Sequence, residues 1–208
     1  MKGSSTGQTF PKAIGLTGGI GSGKTMVSRI FLTLGIPVYY ADDEAKRLMN
    51  EDPGLKEAIT RIFGANAYKE SGLDRKLISS IVYNDPAKRA QLNAIVHPVT
   101  VRDADEWRKK QVAPYIIKEA ALLFESGADK SLDKVIGVSA PLELRIARVI
   151  TRDKLSREEV LRRMNSQMNE EKKMALCDFV IINDEKHSLI EQVLAVHKVL
   201  MEPNSPFS

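Results

Sequence analysis

Residues 18–25 read G-G-I-G-S-G-K-T, between a short apolar run at 13–17 and an amphipathic stretch at 26–32. The octet fits the phosphate-binding template G-x-x-x-x-G-K-[ST] in the strand–loop–helix setting that the template requires. Glycines at 18, 19, 21 and 23 open backbone angles closed to other residues, so successive N–H groups can turn toward one anion. Lys24 then starts a helix and adds a point charge to its positive end, while the Thr25 hydroxyl is a ligand for a magnesium ion bridging phosphates. The competing reading is a glycine-rich turn that merely joins strand to helix. Gly23, Lys24 and Thr25 in register, with both flanks correct, argue against it.

Four more apolar runs, at 36–40, 115–118, 134–139 and 179–182, alternate with helical patterns. That alternation predicts an α/β fold, a five-stranded, parallel, doubly wound sheet. From 51 to 111 the pattern is helical almost throughout, broken at 52–54, Gly64, 70–72, 85–86 and His97–Pro98. This is too much helix for one crossover, so it reads as an insert that leans over the cleft to hold an acceptor. The 208 residues suit a single domain at 13–201. Its core is expected at 13–43 and 113–201, a helical insert at 44–112, a short helical lid at about 150–175, and tails at 1–12 and 202–208.

The net charge of +4, with no long Lys/Arg run, suits small polyanionic ligands and gives no nucleic-acid arm. The single cysteine, Cys177, excludes an internal disulfide and a cysteine-built metal site, and points to a reducing compartment. No apolar run approaches a membrane span, and the first residues lack the apolar segment of a signal peptide. The expectation is a cytoplasmic monomer with no nucleic-acid or membrane partner.

Acids and amides at strand ends are the next candidates, because ligands of open parallel sheets gather at the carboxyl ends of strands. Asp42 follows the second strand and reads either as a general base or as the N-cap of a helix at 44–49. Glu119 ends the third strand and reads as a magnesium carboxylate or as an ion-pair partner of Lys118. Asn183 ends the fifth, where an amide could touch a nucleotide base. Arg148 and Arg152 share a helix face beginning at Pro141. A capping box at Ser156 and Glu159 starts a further helix carrying Arg162, Arg163 and Gln167. These guanidinium groups read as phosphate clamps on a mobile hairpin, or as a solvated face partnered by Glu158, Glu159, Glu170 and Glu171. Lys172 and Lys173 read as solvated surface, Cys177 as inert and buried, and a closing helix is expected from His187 to Met201. His97 reads either as a cap or packing residue at a helix junction or as a substrate contact, and Trp107 as packing or a substrate wall.

With these residues laid out, the sequence closely resembles the dephospho-CoA kinase family over about 14–200. Matching phrases are G-L-T-G-G-I-G-S-G-K-T at 15–25, V-Y-Y-A-D-D-E-A-K at 38–46, His97–Pro98, L-L-F-E at 122–125, Arg148 with Arg152 and Asp153, R-M-N-S-Q at 163–167 and D-F-V-I-I-N at 178–183. Asp42 matches the family's catalytic aspartate; Tyr40 replaces its earlier aspartate and Lys46 its arginine. Where the family has D-x-P-L-L-F-E, this chain has E-A-A-L-L-F-E beginning at Glu119. The resemblance implies a nucleoside-monophosphate-kinase-like fold and transfer of the ATP γ-phosphoryl to the ribose 3′-hydroxyl of dephospho-CoA, with Mg²⁺. It implies Asp42, Lys24 and Arg152 as catalytic residues. ATP would meet Gly18, Gly19, Ile20, Gly21, Ser22, Gly23, Lys24, Thr25, Met26, Arg148, Arg163 and Asn183. The acceptor would meet Asp42, His97, Leu123 and Phe124, and the metal Thr25 and Glu119. A kinase for a nucleoside or shikimate-like acceptor, or a non-catalytic switch, are the competing functions. No Asn-Lys-x-Asp phrase occurs to support a GTPase.

Overall fold

Strand β1 (Lys12–Thr17) runs into the phosphate loop, and helix α1 (Lys24–Thr33) leaves it. The helix stops in a Schellman turn: Gly35 takes φ 78°, its N–H bonds Leu32 C=O, and Ile36 N–H bonds Phe31 C=O. β2 (Val38–Tyr40) follows. In this computed structural model, which describes residues 10–202, the chain packs as two units. One runs to Tyr39 and resumes at Arg108; the other is Tyr40–Trp107. The expected tails fall mostly outside the described residues.

The Tyr40–Trp107 unit holds α2 (Ala41–Glu51), α3 (Pro53–Phe63), a hairpin of β3 (Tyr68–Lys69) and β4 (Gly72–Leu73), α4 (Arg75–Asn84) and most of α5 (Pro86–Lys109). Asp52 caps α3 by accepting Leu55 N–H at 2.8 Å, with Pro53 at the tolerated first position, and Asp74 caps α4 through Leu77 N–H. Ile59, Ala67 and Ile78 form the unit's core, lined by Met49, Phe63, Tyr68, Leu73, Val82, Leu92 and Ile95. Two sequence expectations change here. The hairpin interrupts what reads as helix, and α5 continues through Pro98 instead of breaking at His97–Pro98. Proline removes one i−4 bond; Thr100 Oγ1 donates to Val96 C=O at 3.0 Å in the same turn.

The other unit continues with β5 (Tyr115–Glu119), β6 (Lys134–Ser139), α6 (Leu142–Asp153), α7 (Arg157–Asn165), α8 (Glu170–Ala175), β7 (Phe179–Ile182) and α9 (Leu189–Met201). Among the described residues its five strands form one sheet in the order β2-β5-β1-β6-β7, and β1 pairs in parallel with both β5 and β6. Side chains alternate across a strand, and both faces are covered. On one face Ile14, Leu16, Tyr115, Ile117, Ile136, Val138 and Ile181 pack with Val27 and Phe31 of α1 and Val193 and Val196 of α9. On the other, a Cβ at Gly15 would meet Leu123 and Leu132, and one at Gly137 would meet Met174 and Cys177. This is the doubly wound arrangement the strand spacing predicts. Two boundaries shift: Pro141 is the residue before α6, and His187 precedes α9, which Ser188 caps. No helix among the described residues is long and apolar enough to cross a membrane.

Cys177 is half-buried, with Sγ 3.2 Å from Lys173 C=O. Burial first, and Asp178 beside it second, push the thiol up to about 12. Only the thiolate attacks alkylating reagents, and above the working pH its population falls about tenfold for each whole number the pKa climbs. Iodoacetamide at pH 8.5 is therefore expected to label the folded protein at least about a hundredfold more slowly than the urea-unfolded chain. Equal rates by mass spectrometry would refute the inert assignment.

Candidate active site

The phosphate loop closes with Ser22 N–H on Gly19 C=O at 3.1 Å, and Lys24 opens α1. The Lys24 ammonium curls back over the loop to donate to Gly18 C=O at 2.9 Å, with Glu119 Oε1 4.0 Å away. So the carboxylate beside Lys24 is Glu119, on the last residue of β5 and only 8% exposed. The register sets Glu119 level with Leu16, one residue before the end of β1.

Two glycines of the loop are required by their neighbours. Gly21 has φ 80°, and a Cβ there would lie 2.5 Å from Arg145 C=O. Gly23 has φ 96°, and a Cβ there would collide with Asn183 Nδ2. Asn183, buried at the end of β7, donates that amide to Ser22 C=O at 2.8 Å and accepts Arg148 Nη2 at 3.3 Å on its oxygen. Arg148 also reaches Asn183 C=O at 3.3 Å and Glu185 at 3.1 Å. Both residues brace the loop from outside. The fully buried hydroxyls of Thr17 and Ser22 have no hydrogen-bond partner among the described residues.

The arginines of the hairpin sort by position. Arg152 is exposed and grips Asp153 through two bonds of 2.7 and 3.0 Å. Arg163, exposed on α7, lends its charge to the same carboxylate, and Arg152 first and Arg163 last hold Asp153 below the usual carboxylate range. Ser156 and Glu159 form the expected capping box. Gln167 lies past α7, in the turn before α8.

Thr25 and Met26 are exposed in the first turn of α1. Leu123 is fully buried, beside Gly15, and Phe124 next to it is half-buried. Asp42 lies in the first turn of α2, exposed. The residue in the capping position is Tyr40, so Asp42 is not the N-cap. His97 is inside α5, not at a junction, and its buried Nε2 has no hydrogen-bond partner among the described residues.

A model of the dephospho-CoA kinase family matches residues 12–188. The chain belongs to the dephospho-CoA kinase family. A dephospho-CoA kinase of Salinibacter ruber is 43% identical over 176 residues, covering 82% of this chain and 88% of its own. Among solved structures, one from Thermus thermophilus is 36% identical with a TM-score of 0.84, covering 93% of this chain and 100% of that one. The dephospho-CoA kinase from Campylobacter jejuni is 30% identical with a TM-score of 0.64, covering 89% and 95%.

Sequence reading did not assign to the loop two residues that hold it in this family member, and it misplaced a third that lies behind them. Arg145 is 6% exposed, donates to Ile20 C=O at 2.9 Å and pairs with Glu170 at 2.9 Å. Gln167 accepts Ile20 N–H at 3.0 Å. Lys173 is the plain correction: expected on the solvated surface, it is 0% exposed. Burying an ammonium costs several kcal/mol unless it is paired, and Lys173 is satisfied by Ala121 C=O and Glu125, both at 3.0 Å. The run E-E-K-K at 170–173 reads as a charged face, and only partners some fifty positions away reveal otherwise.

Proposed function

We propose that the protein transfers the γ-phosphoryl group of ATP to the ribose 3′-hydroxyl of dephospho-CoA, giving coenzyme A and ADP. The observation that carries this reading is the strand–loop–helix with Lys24 folded over the loop beside a buried carboxylate, in a chain of this family. Loop N–H groups at 19–25 hold the phosphates, and Lys24 leaves Gly18 C=O to follow the charge that moves with the phosphoryl group. Arg152 and Arg163, already gathered around Asp153, supply further positive charge from the hairpin and exclude water. Asp42 orients the 3′-hydroxyl and accepts its proton as the new oxygen–phosphorus bond forms and the bond to ADP breaks. His97 Nε2 and Phe124 are assigned to the acceptor.

The donor set beside the loop fits a hard cation: the Thr25 hydroxyl and the Glu119 carboxylate are oxygen ligands, and magnesium is ordinarily held by one or two carboxylates together with substrate phosphates. Bound there, magnesium would neutralise phosphate charge.

The test is ADP release with ATP and magnesium in the presence of dephospho-CoA, adenosine, AMP or shikimate, with mass spectrometry and phosphorus NMR of the product. Phosphate on the 3′-oxygen of dephospho-CoA alone is the expected result. A preference for another acceptor keeps the phosphate-loop chemistry and overturns the substrate; no acceptor-stimulated turnover overturns the kinase reading.

A further inference from the structure

The Ile20 peptide of the phosphate loop is gripped on both sides by the hairpin. Its N–H donates to Gln167 Oε1 at 3.0 Å and its C=O accepts Arg145 Nε at 2.9 Å. Its side chain packs on the cluster of Ile146, Val149 and Val160. The loop therefore cannot shift at Ile20 without moving Gln167. Gln167 itself lies between two helices, and the residue after it is tied down from elsewhere. Met168 N–H donates at 2.8 Å to Glu125 Oε1, the same oxygen that pairs with Lys173 Nζ at 3.0 Å. Lys173 donates again to Ala121 C=O. Ala121 and Glu125 belong to the stretch following β5, whose last residue, Glu119, stands beside Lys24.

We propose that Glu125 and Lys173 are positioning residues for phosphoryl transfer: their ion pair, with the ammonium fully buried and the carboxylate partly exposed, fixes the turn that carries Gln167, and Gln167 fixes the Ile20 backbone of the phosphate loop. The ion pair suits this task better than an apolar contact. A buried ammonium that moves away from its carboxylate is stranded in a low-dielectric interior, so the pair has one favourable separation where greasy side chains would have many. Burial alone would raise the Glu125 carboxyl, but the N–H of Met168 and the Lys173 ammonium outweigh it and hold the group below its ordinary range. The carboxylate stays ionised at neutral pH, and the pair persists there.

This inference rests on the reading of the loop as the ATP site, and its test separates the two. Binding of a non-hydrolysable ATP analogue is measured by calorimetry, and KM and kcat for ATP at saturating acceptor, well below each variant's melting temperature. Gln167→Leu removes the acceptor of Ile20 N–H at similar size, and Glu125→Gln keeps an acceptor for Met168 N–H while removing the charge. Each is expected to weaken ATP binding about tenfold, the scale of one or two hydrogen bonds. Gln167→Glu, which can still accept Ile20 N–H, is expected to bind ATP better than Gln167→Leu, with its added negative charge keeping it below wild type; binding no better than Gln167→Leu at high salt would count against the hydrogen bond. Because Glu125 acts through Gln167, the double variant should be no weaker than the weaker single one. Lys173→Met is expected to match Glu125→Gln; if it does not fold, Glu125→Gln carries the test. Variants that melt earlier but bind ATP within about twofold of wild type, or single effects that multiply to about a hundredfold in the double variant, would overturn the proposal. A wild-type protein that binds the analogue without phosphorylating dephospho-CoA would refute the substrate reading and leave this inference standing.

Discussion

Lys24→Met is expected to lower kcat by at least about a hundredfold, the usual scale for removing one preorganised positive group from a charge-shifting reaction. The substitution keeps an unbranched, helix-tolerant side chain in the first turn of α1 and deletes the ammonium. In the structure that ammonium donates to Gly18 C=O at 2.9 Å and lies 4.0 Å from Glu119 Oε1. The separation of 4.0 Å is long for an ion pair, but both side chains are nearly buried, so deleting the ammonium also costs stability; rates are compared well below the melting temperature, where transfer of a phosphoryl group depends on matching its charge. Circular dichroism melts should therefore stay cooperative though shifted down, while turnover collapses at temperatures where the variant is fully folded. Lys24→Arg should fail too, because a planar fork cannot occupy the place of a compact ammonium curled over the loop. Turnover within about threefold of wild type in a correctly folded Lys24→Met protein would remove the loop from the chemistry.

What the sequence announced, and what it hid, divides by range. The β1–loop–α1 unit and the capping box at Ser156 are local, decided by residues within a few positions of one another, and each is where the pattern puts it. The alternation of apolar runs carried the parallel sheet for the same reason. The hairpin at Tyr68–Lys69 and Gly72–Leu73 is too short to leave a period-two signature. Pro98 reads as a stop, yet α5 passes through it, because tertiary packing overrides a single lost bond. At the site, the placement of the glycines, Lys24 and Glu119 was legible, since a motif and a strand end mark them, though the sequence offered Lys118 and not Lys24 as the cation beside Glu119. The grip of Arg145, Gln167 and Lys173 was not. Their partners Ile20, Ala121 and Glu125 lie far away in sequence, and nothing in a charged helical face distinguishes the one lysine that is buried.

Asp42→Asn is expected to leave the ATP dissociation constant within about twofold and to lower kcat by about a hundredfold to ten-thousandfold, the range for loss of a positioned general base. Asp42 follows β2 at once, in the first turn of α2, in the unit Tyr40–Trp107, whereas every residue gripping the phosphate loop belongs to the other unit. Its removal therefore leaves every described contact of the loop in place, and under the proposed function it bears on the acceptor. Asparagine keeps the size and can still hold a hydroxyl by hydrogen bonding, but it cannot take the proton that must leave as the 3′-oxygen bonds phosphorus. Asp43, one position on, supplies the control. It is exposed and paired with Lys46 at 2.6 Å, and an exposed pair three residues apart on a helix contributes only tenths of a kcal/mol. Asp43→Asn should retain turnover within about twofold. Equal losses in the two variants would mean that negative charge at the start of α2, not a particular base, is what the reaction needs; retained turnover in Asp42→Asn would sink the base assignment outright.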